Sequence, residues 1–342
     1  NYERLHYFDS SDFVGIVCDE SSAIKNFEGK RQEEVVTFMR KVPYRLLCTA
    51  TPSPNDYIEL GTSSEALGQL GRMDMLGRFF RNDENSLHPI WYGSKWRFKK
   101  HAKRDFWRWV CSWARACRKP EDVGFEDSRF LLPELVVNRE VVENKKPLNG
   151  KFFRLPARTL QEQRKENKET LEERCEKVAE RIYDVDVPFH LVWCHLNAEA
   201  DYIERMVDDA VQVSGSMSDD LKEERLAAFS DGEIPVLVIK PRIGGFGLNW
   251  QHCSHMTYFP SHSYEQYYQA IRRCWRYGQK NPVVVDVITT EGGLGVLRNL
   301  ERKSEQAEEM FSMMVEEMSR EMNVKRIENF NKDVKLPKWL GG

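Results

Sequence analysis

The chain has 342 residues, enough for two domains, and its charged residues, 31% of the total, nearly balance at a net charge of -3. Overall charge therefore carries no nucleic-acid signal, and any such signal must be local. No apolar run approaches membrane-spanning length, and the eight cysteines form no Cys-x-x-Cys pair, so they are not expected to build a disulfide or zinc framework. Cys18, Cys48 and Cys194 lie within or just after apolar runs and read as buried thiols in a reducing, cytoplasmic setting. The chain opens without Met and reaches its first motif at once, which reads as the downstream part of a longer protein.

Phe13-Val-Gly-Ile-Val-Cys18 is apolar and β-branched, as expected of a buried parallel strand. It runs into Asp19-Glu20, and acids at the carboxyl end of such a strand lie where α/β sheets bind ligands. Residues 28–42 predict a helix with a charged face. Tyr44–Cys48 predicts a second strand that enters Thr49-Ala50-Thr51-Pro52. The segment 61–150 breaks the α/β pattern. It interleaves Trp91, Trp96, Trp107, Trp109 and Trp113 with Lys95, Arg97, Lys99, Lys100, Lys103, Arg104, Arg108, Arg115, Arg118 and Lys119, with few acids among them. Basic side chains among aromatics suit a phosphate backbone and exposed bases. Spacings of three and four also predict a helix over 103–118 that buries Phe106, Trp109, Val110 and Trp113 and ends before Pro120. The tryptophans are assigned to that small core, and Lys100, Lys103 and Arg104 to phosphate contact.

A second α/β segment opens at Lys151–Pro156, followed by a charged helix over 159–183 and a strand at Phe189–Cys194. A helix over 197–210, a short strand at Val211–Gly215 and a helix from Ser218 to about Gly232 follow. The strand Val236–Ile239 enters a glycine-rich loop, Arg242-Ile-Gly244-Gly245-Phe-Gly247-Leu-Asn249, which lets the backbone approach phosphate closely. Strands at Met256–Phe259 and Val283–Ile288 flank a helix beginning near Tyr264. Strands alternating with helices predict a parallel, doubly wound sheet. A long helix over 295–330, with Met310, Phe311, Met314, Val315 and Met318 on one side, is expected to pack on this segment.

Gln269-Ala-Ile-Arg-Arg273-Cys-Trp-Arg276-Tyr-Gly-Gln279 is the most informative run. Its two arginines sit three apart, on one face of a helix, and a guanidinium pair suits the charge of a transferring γ-phosphoryl group. The run resembles the last motif of superfamily II helicases, and most closely the Swi/Snf branch, in a phage-type version. The resemblance implies two RecA-like parallel-sheet lobes, the first truncated, with a helical basic and aromatic insertion between them. The expected division is 1–60, 61–150, 151–296 and 297–342. It also implies ATP and Mg2+ as ligands and nucleic acid, double-stranded DNA first, as partner. The location would be the cytoplasm, of a bacterial host if the gene is a phage's.

In that family Asp19 would hold magnesium and Glu20 would orient or deprotonate the attacking water. Arg273 and Arg276 would meet the γ-phosphate, and Gly245, Gly247, Asn249 and Gln269 would line the ATP site. Thr49, Thr51 and Arg242 would couple the site to nucleic acid, the threonine hydroxyls bonding the acids. Two departures stand out: Ser22 occupies the His position of DEAH-type members, and Pro241 replaces a hydroxyl residue. No Gly-x-x-x-x-Gly-Lys-Ser/Thr occurs, so the phosphate-cradling loop placed before Asp19 in the family is not in this chain, and the chain alone is expected to hydrolyse ATP poorly. The first sheet is then expected to leave apolar surface uncovered. The competing reading is a nucleic-acid-binding module without ATPase activity, built on the basic tryptophan region. A glycosyltransferase-like enzyme would explain the fold but not the ordered motifs.

Overall fold

A computed structural model describes residues 1–26, 29–82, 96–99, 101–128, 130–144, 157, 160–244 and 247–321. The chain divides into two compact units. One comprises Asn1–Arg72 and Asp127–Ala307, and the other Met73–Glu126 with the chain from Glu308.

Strand β1 (Gly15–Cys18) pairs in parallel with β2 (Tyr44–Leu47), joined by helix α1 (Lys30–Lys41). Helix α1 stops at Val42 because Pro43 disfavours the helical region for the residue before it. It buries Val35, Val36 and Met39 against Cys18, Ile24 and Ala66, the last from helix α2 (Leu60–Leu67). Among the described residues this sheet has two strands, so neither of its outer edges is paired. Val14 and Val17 are 71% and 65% exposed, and Tyr44 and Leu46 also face outward. The strand expected to be buried is therefore buried only at Cys18, and the apolar surface expected to stay open is open.

The second unit takes most of the 61–150 segment. Helix α3 (Arg72–Phe79) runs into an antiparallel pair, β3 (Phe80–Asn82) with β4 (Trp96–Phe98), and then into helix α4 (Ala102–Trp113). Its core is aromatic. Phe106 meets Phe79, Phe80 and Phe98 edge-on at 5.4, 5.5 and 5.1 Å, and Phe79 stacks on Trp109 at 5.4 Å. Trp107 is fully buried while Trp109 and Trp113 are partly exposed, so α4 is rotated slightly from the face its spacing suggested.

The main sheet has six strands, all parallel, in the order β5 (Leu135–Val142), β10 (Val283–Thr290), β9 (His255–Tyr258), β6 (His190–Trp193), β8 (Val236–Ile239), β7 (Ala210–Val213). Between them run α5 (Leu160–Glu169), α6 (Leu171–Asp184), α7 (Asn197–Met206), α8 (Asp219–Ser230), the turn α9 (Pro241–Gly244) and α10 (Tyr264–Ile271). Both faces are covered, so β6, β8 and β9 are buried at every position. Alternate residues feed opposite cores. Leu191, Trp193, Leu237 and Ile239 join Phe229, Trp250 and Ile271 on one side. Val192, Cys194, Val236 and Val238 join Val178 and Ile203 on the other.

Strand β5 lies inside the segment read as an insertion, yet it pairs along its length with β10. The second sheet thus begins well before residue 151, and the chain between the compact parts of the first unit is 73–126. The strand's alternating, half-buried pattern is that of an edge, not of an apolar run, which is why composition hid it.

Helix α11 (Leu294–Glu321) closes the described chain. Leu297, Leu300 and Ala307 pack into the main core. Met310, Met314 and Met318 are buried in the other unit, where the Cys111 thiol donates to the Met314 carbonyl at 3.5 Å and the Ala116 amide to the Met318 sulfur at 3.2 Å. Its apolar stripe therefore serves two cores and not one, a correction to the expected packing. No described helix is long and apolar enough to cross a membrane.

Candidate active site

The carboxyl end of β1 turns sharply. The Cys48 amide donates to the Cys18 carbonyl and the Ser21 amide to the Cys48 carbonyl, both at 2.9 Å, so β2 holds the chain on either side of the acids. Between them Glu20 adopts a left-handed backbone, φ 47° and ψ 48°, which costs a non-glycine residue on the order of 1 kcal/mol. That conformation lifts the Glu20 side chain off the strand line. Asp19 Oδ1 accepts from the Glu20 amide at 3.0 Å, and the Tyr2 hydroxyl donates to the Asp19 carbonyl at 2.6 Å. Burial, then the nearby carboxylates Asp19 and Glu265, raise the Glu20 pKa against the opposing pull of Arg273 and Gln269. A carboxylate with a raised pKa beside a guanidinium is suited to accept a proton from water.

The arginines come from the chain after α10. Ser263 caps this helix, its hydroxyl accepting from the Gln266 amide at 3.3 Å. The helix ends at Ile271, so Arg273 and Arg276 lie in the following turn, which Gly278 passes at φ +95°. The expected shared helix face is therefore absent, but the two side chains still converge. Arg273 Nη1 donates to the Leu248 carbonyl at 2.9 Å and its Nε to the Gln269 carbonyl at 3.1 Å. Arg276 Nη1 donates to the Asn249 side-chain oxygen and, at 3.5 Å, to the Leu248 carbonyl. Burial, then the charge of Arg276, lowers the Arg273 pKa, with Glu20 opposing. Gln269 Nε2 donates to Glu20 Oε2 at 3.4 Å. Acid loop, arginine turn and the end of the glycine-rich loop thus meet in one compact unit.

The loop's own geometry fits this role. Gly247 sits at φ +75°, where a side chain would be strained. A Cβ on Gly244 would lie 2.8 Å from Ile239 Cδ1 and 3.2 Å from the rings of Trp193 and Trp250, so only glycine lets the chain cross the core there. Arg242 is exposed on α9. Gly245 lies outside the described residues.

Other expected site residues are placed differently. Thr49 Oγ1 accepts from the Thr51 amide at 3.1 Å, and Thr51 Oγ1 is buried with no hydrogen-bond partner among the described residues. Neither hydroxyl reaches Asp19 or Glu20, because the turn after β2 folds upon itself. Lys103 pairs with Glu309 at 2.6 Å and Arg104 with Glu317 at 3.7 Å, while Arg118 meets Asp122 and Glu308. The acids of α11, far off in sequence, neutralise much of what reads locally as a basic patch. Lys100 lies outside the described residues. Sequence reasoning noted Ser22 only as a departure and passed over Glu265. Ser22 Oγ and Lys25 Nζ both donate to the Glu265 carboxylate. No local spacing signals a contact between positions so far apart.

The class this fold defines is α/β, with an all-parallel sheet wrapped by helices on both faces. Residues 188–278, spanning β6 to the arginine turn, match the family described as helicase conserved C-terminal domain. That part of the chain is therefore similar to helicase C-terminal domains. No curated protein matches the chain. Among solved structures, the C-terminal part of the Fun30 ATPase domain is similar at 15% identity and a TM-score of 0.34, over 43% of this chain and 54% of that one. The chain thus spans about half the length of that structure.

Proposed function

We propose that this chain carries the hydrolytic centre of an ATP-dependent motor on nucleic acid, a double-stranded DNA translocase or helicase of the Swi/Snf-like branch. The observation that carries the reading is the convergence of Glu20, Gln269 and Arg273 beside the glycine-rich loop, within a unit that includes the helicase-type lobe. A site that pairs a general base with guanidinium groups is suited to phosphoryl transfer to water. Glu20 orients the water and takes its proton. Gln269 holds the Glu20 carboxylate. Arg273 and Arg276, now on the Leu248 carbonyl, turn toward the γ-phosphate of ATP and stabilise its developing charge. Gly245, Gly247 and Asn249 set the loop that receives the phosphate side. Thr49, Thr51 and Arg242 couple the site to the nucleic acid.

Asp19 is exposed at the strand end and beside Glu20, a donor set of one or two carboxylates. That set fits Mg2+, which keeps several waters and takes few protein ligands beside substrate phosphates. When bound it neutralises charge on the phosphate oxygens.

The test is DNA-stimulated ATP hydrolysis by the product of the complete open reading frame, beside this chain. The complete product is expected to hydrolyse ATP faster with duplex DNA, and Arg276→Ala to cost at least about 10³-fold, the usual effect of losing such a finger. Binding of DNA by both proteins without hydrolysis by either would overturn the motor and leave a binding module.

A further inference from the structure

Glu265, Gln269 and Arg273 are spaced four apart, so they line one side of α10 and the turn that follows it. Two of the three hold the acid-bearing loop. Gln269 donates to Glu20, and Glu265 accepts from Ser22 on one carboxylate oxygen and from Lys25 on the other. Ser22 is buried, and the Lys25 and Glu265 side chains are only 25% and 16% exposed, so water competes weakly for the contact. The third residue, Arg273, bonds back to the Gln269 carbonyl. Loop and helix are thus joined at Glu20, the left-handed residue, and again just after it at Ser22 and Lys25.

A second set of contacts ties the same helix end. Lys303 Nζ donates to Asn55 Oδ1 and to the His262 carbonyl, both at 2.7 Å. Asn55 in turn holds Glu59 through its side-chain and backbone nitrogens at 2.8 and 3.0 Å. The segment after β2 is therefore anchored beside the start of α10, and Lys25 lies within the field of both Glu59 and Lys303.

We propose that Glu265 is a positioning residue for hydrolysis: its carboxylate clamps Ser22 and Lys25 so that the water held by Glu20 and the guanidinium of Arg273 meet at the same phosphate. The proposal rests on the motor reading above. It gives Ser22 a role of its own, as one jaw of the clamp. It also predicts that the clamp sets rate and not ATP affinity, because Glu265 touches the loop and not the nucleotide.

Steady-state ATP hydrolysis by the complete open-reading-frame product tests this, with Glu265→Gln, Lys25→Met, the double variant, and the swap Lys25→Glu with Glu265→Lys. Each single variant is expected to lower kcat about 10- to 100-fold, the cost of a misplaced catalytic group, with KM for ATP within about twofold. The double variant should be no worse than either single one, and the swap should recover part of the loss. Amides of residues 20–26 should exchange faster with solvent in Glu265→Gln, with β6, β8 and β9 unchanged. Glu265 also sits in the first turn of α10, where an acid favours the helix, but Lys25→Met leaves that turn intact and separates the roles. If the wild type hydrolyses ATP and Lys25→Met matches it, or the two losses add, the clamp is overturned and the motor stands. If the wild type hydrolyses none, the motor reading falls and the proposal with it.

Discussion

Asp286 is fully buried in the middle of β10 and remains ionised because three side chains hydrogen-bond it. Burial works to raise its pKa, but His255 at 2.8 Å, Arg181 at 2.9 Å and Asn138 at 2.8 Å hold it well below the usual carboxylate range. His190 lies with its ring centroid 4.3 Å from that of His255. Burial, then the His255 charge, pushes the His190 pKa down to about 3. Between that value and the ordinary histidine pKa of about 6.5, the unfolded chain binds a proton that the folded chain refuses. Stability should therefore fall as pH drops through this window and stay level above it with respect to this residue. The Asp286 contribution, from a depressed folded pKa, is present above about pH 4 and is lost below it. Urea unfolding at pH 7 and pH 4.5 should show a lower midpoint in acid, with a smaller drop in His190→Leu. Equal drops would mean that His190 is not held neutral. None of these residues stood out in the sequence, where His190 and Asp286 each lie in a mostly apolar strand and Arg181 is one of many charges on α6.

At the scale of the element, α6 and α7 are joined by one buried ion pair. Arg174 and Glu199 meet at 2.7 Å with side chains 4% and 1% exposed. Glu199 also accepts from the His195 and Leu196 amides at 2.9 Å, and Arg174 reaches the Asn167 carbonyl and lies 4.7 Å over the Phe259 ring. Removing one partner strands the other in the core, so Arg174→Met should cost about 3–5 kcal/mol in denaturant unfolding. A loss below about 1 kcal/mol would show that the pair is better solvated than its burial implies. The strands β6, β8 and β9 were legible because strands covered on both faces must be apolar throughout. Strand β5 was not, because at an edge only alternate positions are half-buried and its residues read as surface.

At the scale of the whole molecule, the chain makes two units with separate cores, one aliphatic around the parallel sheet and one aromatic around α4. Helix α11 contributes Leu297 and Leu300 to the first and Met310, Met314 and Met318 to the second. A charge placed in the second core should open that unit alone. Met314→Glu is expected to raise amide exchange across 102–113 while 283–290 stays protected. Loss of protection in both would mean that the units unfold as one cooperative body.

The sequence by itself determined the parallel α/β class, the order of the strands along the chain and the glycine-rich loop. These follow from local rules: apolar runs, turn residues and backbone freedom. It also singled out Asp19, Glu20, Gln269, Arg273 and Arg276, because their neighbours in sequence carry the signal. Only the tertiary structure decided that Arg273 and Arg276 rest on the Leu248 carbonyl beyond the end of a helix. It alone decided that Lys103 and Arg104 are paired with acids of α11, and that Ser22 and Lys25 share Glu265. Each is a contact between residues about 25 to 250 positions apart. Such a contact leaves no periodicity in the chain and exists only once the sheet order has brought the elements together.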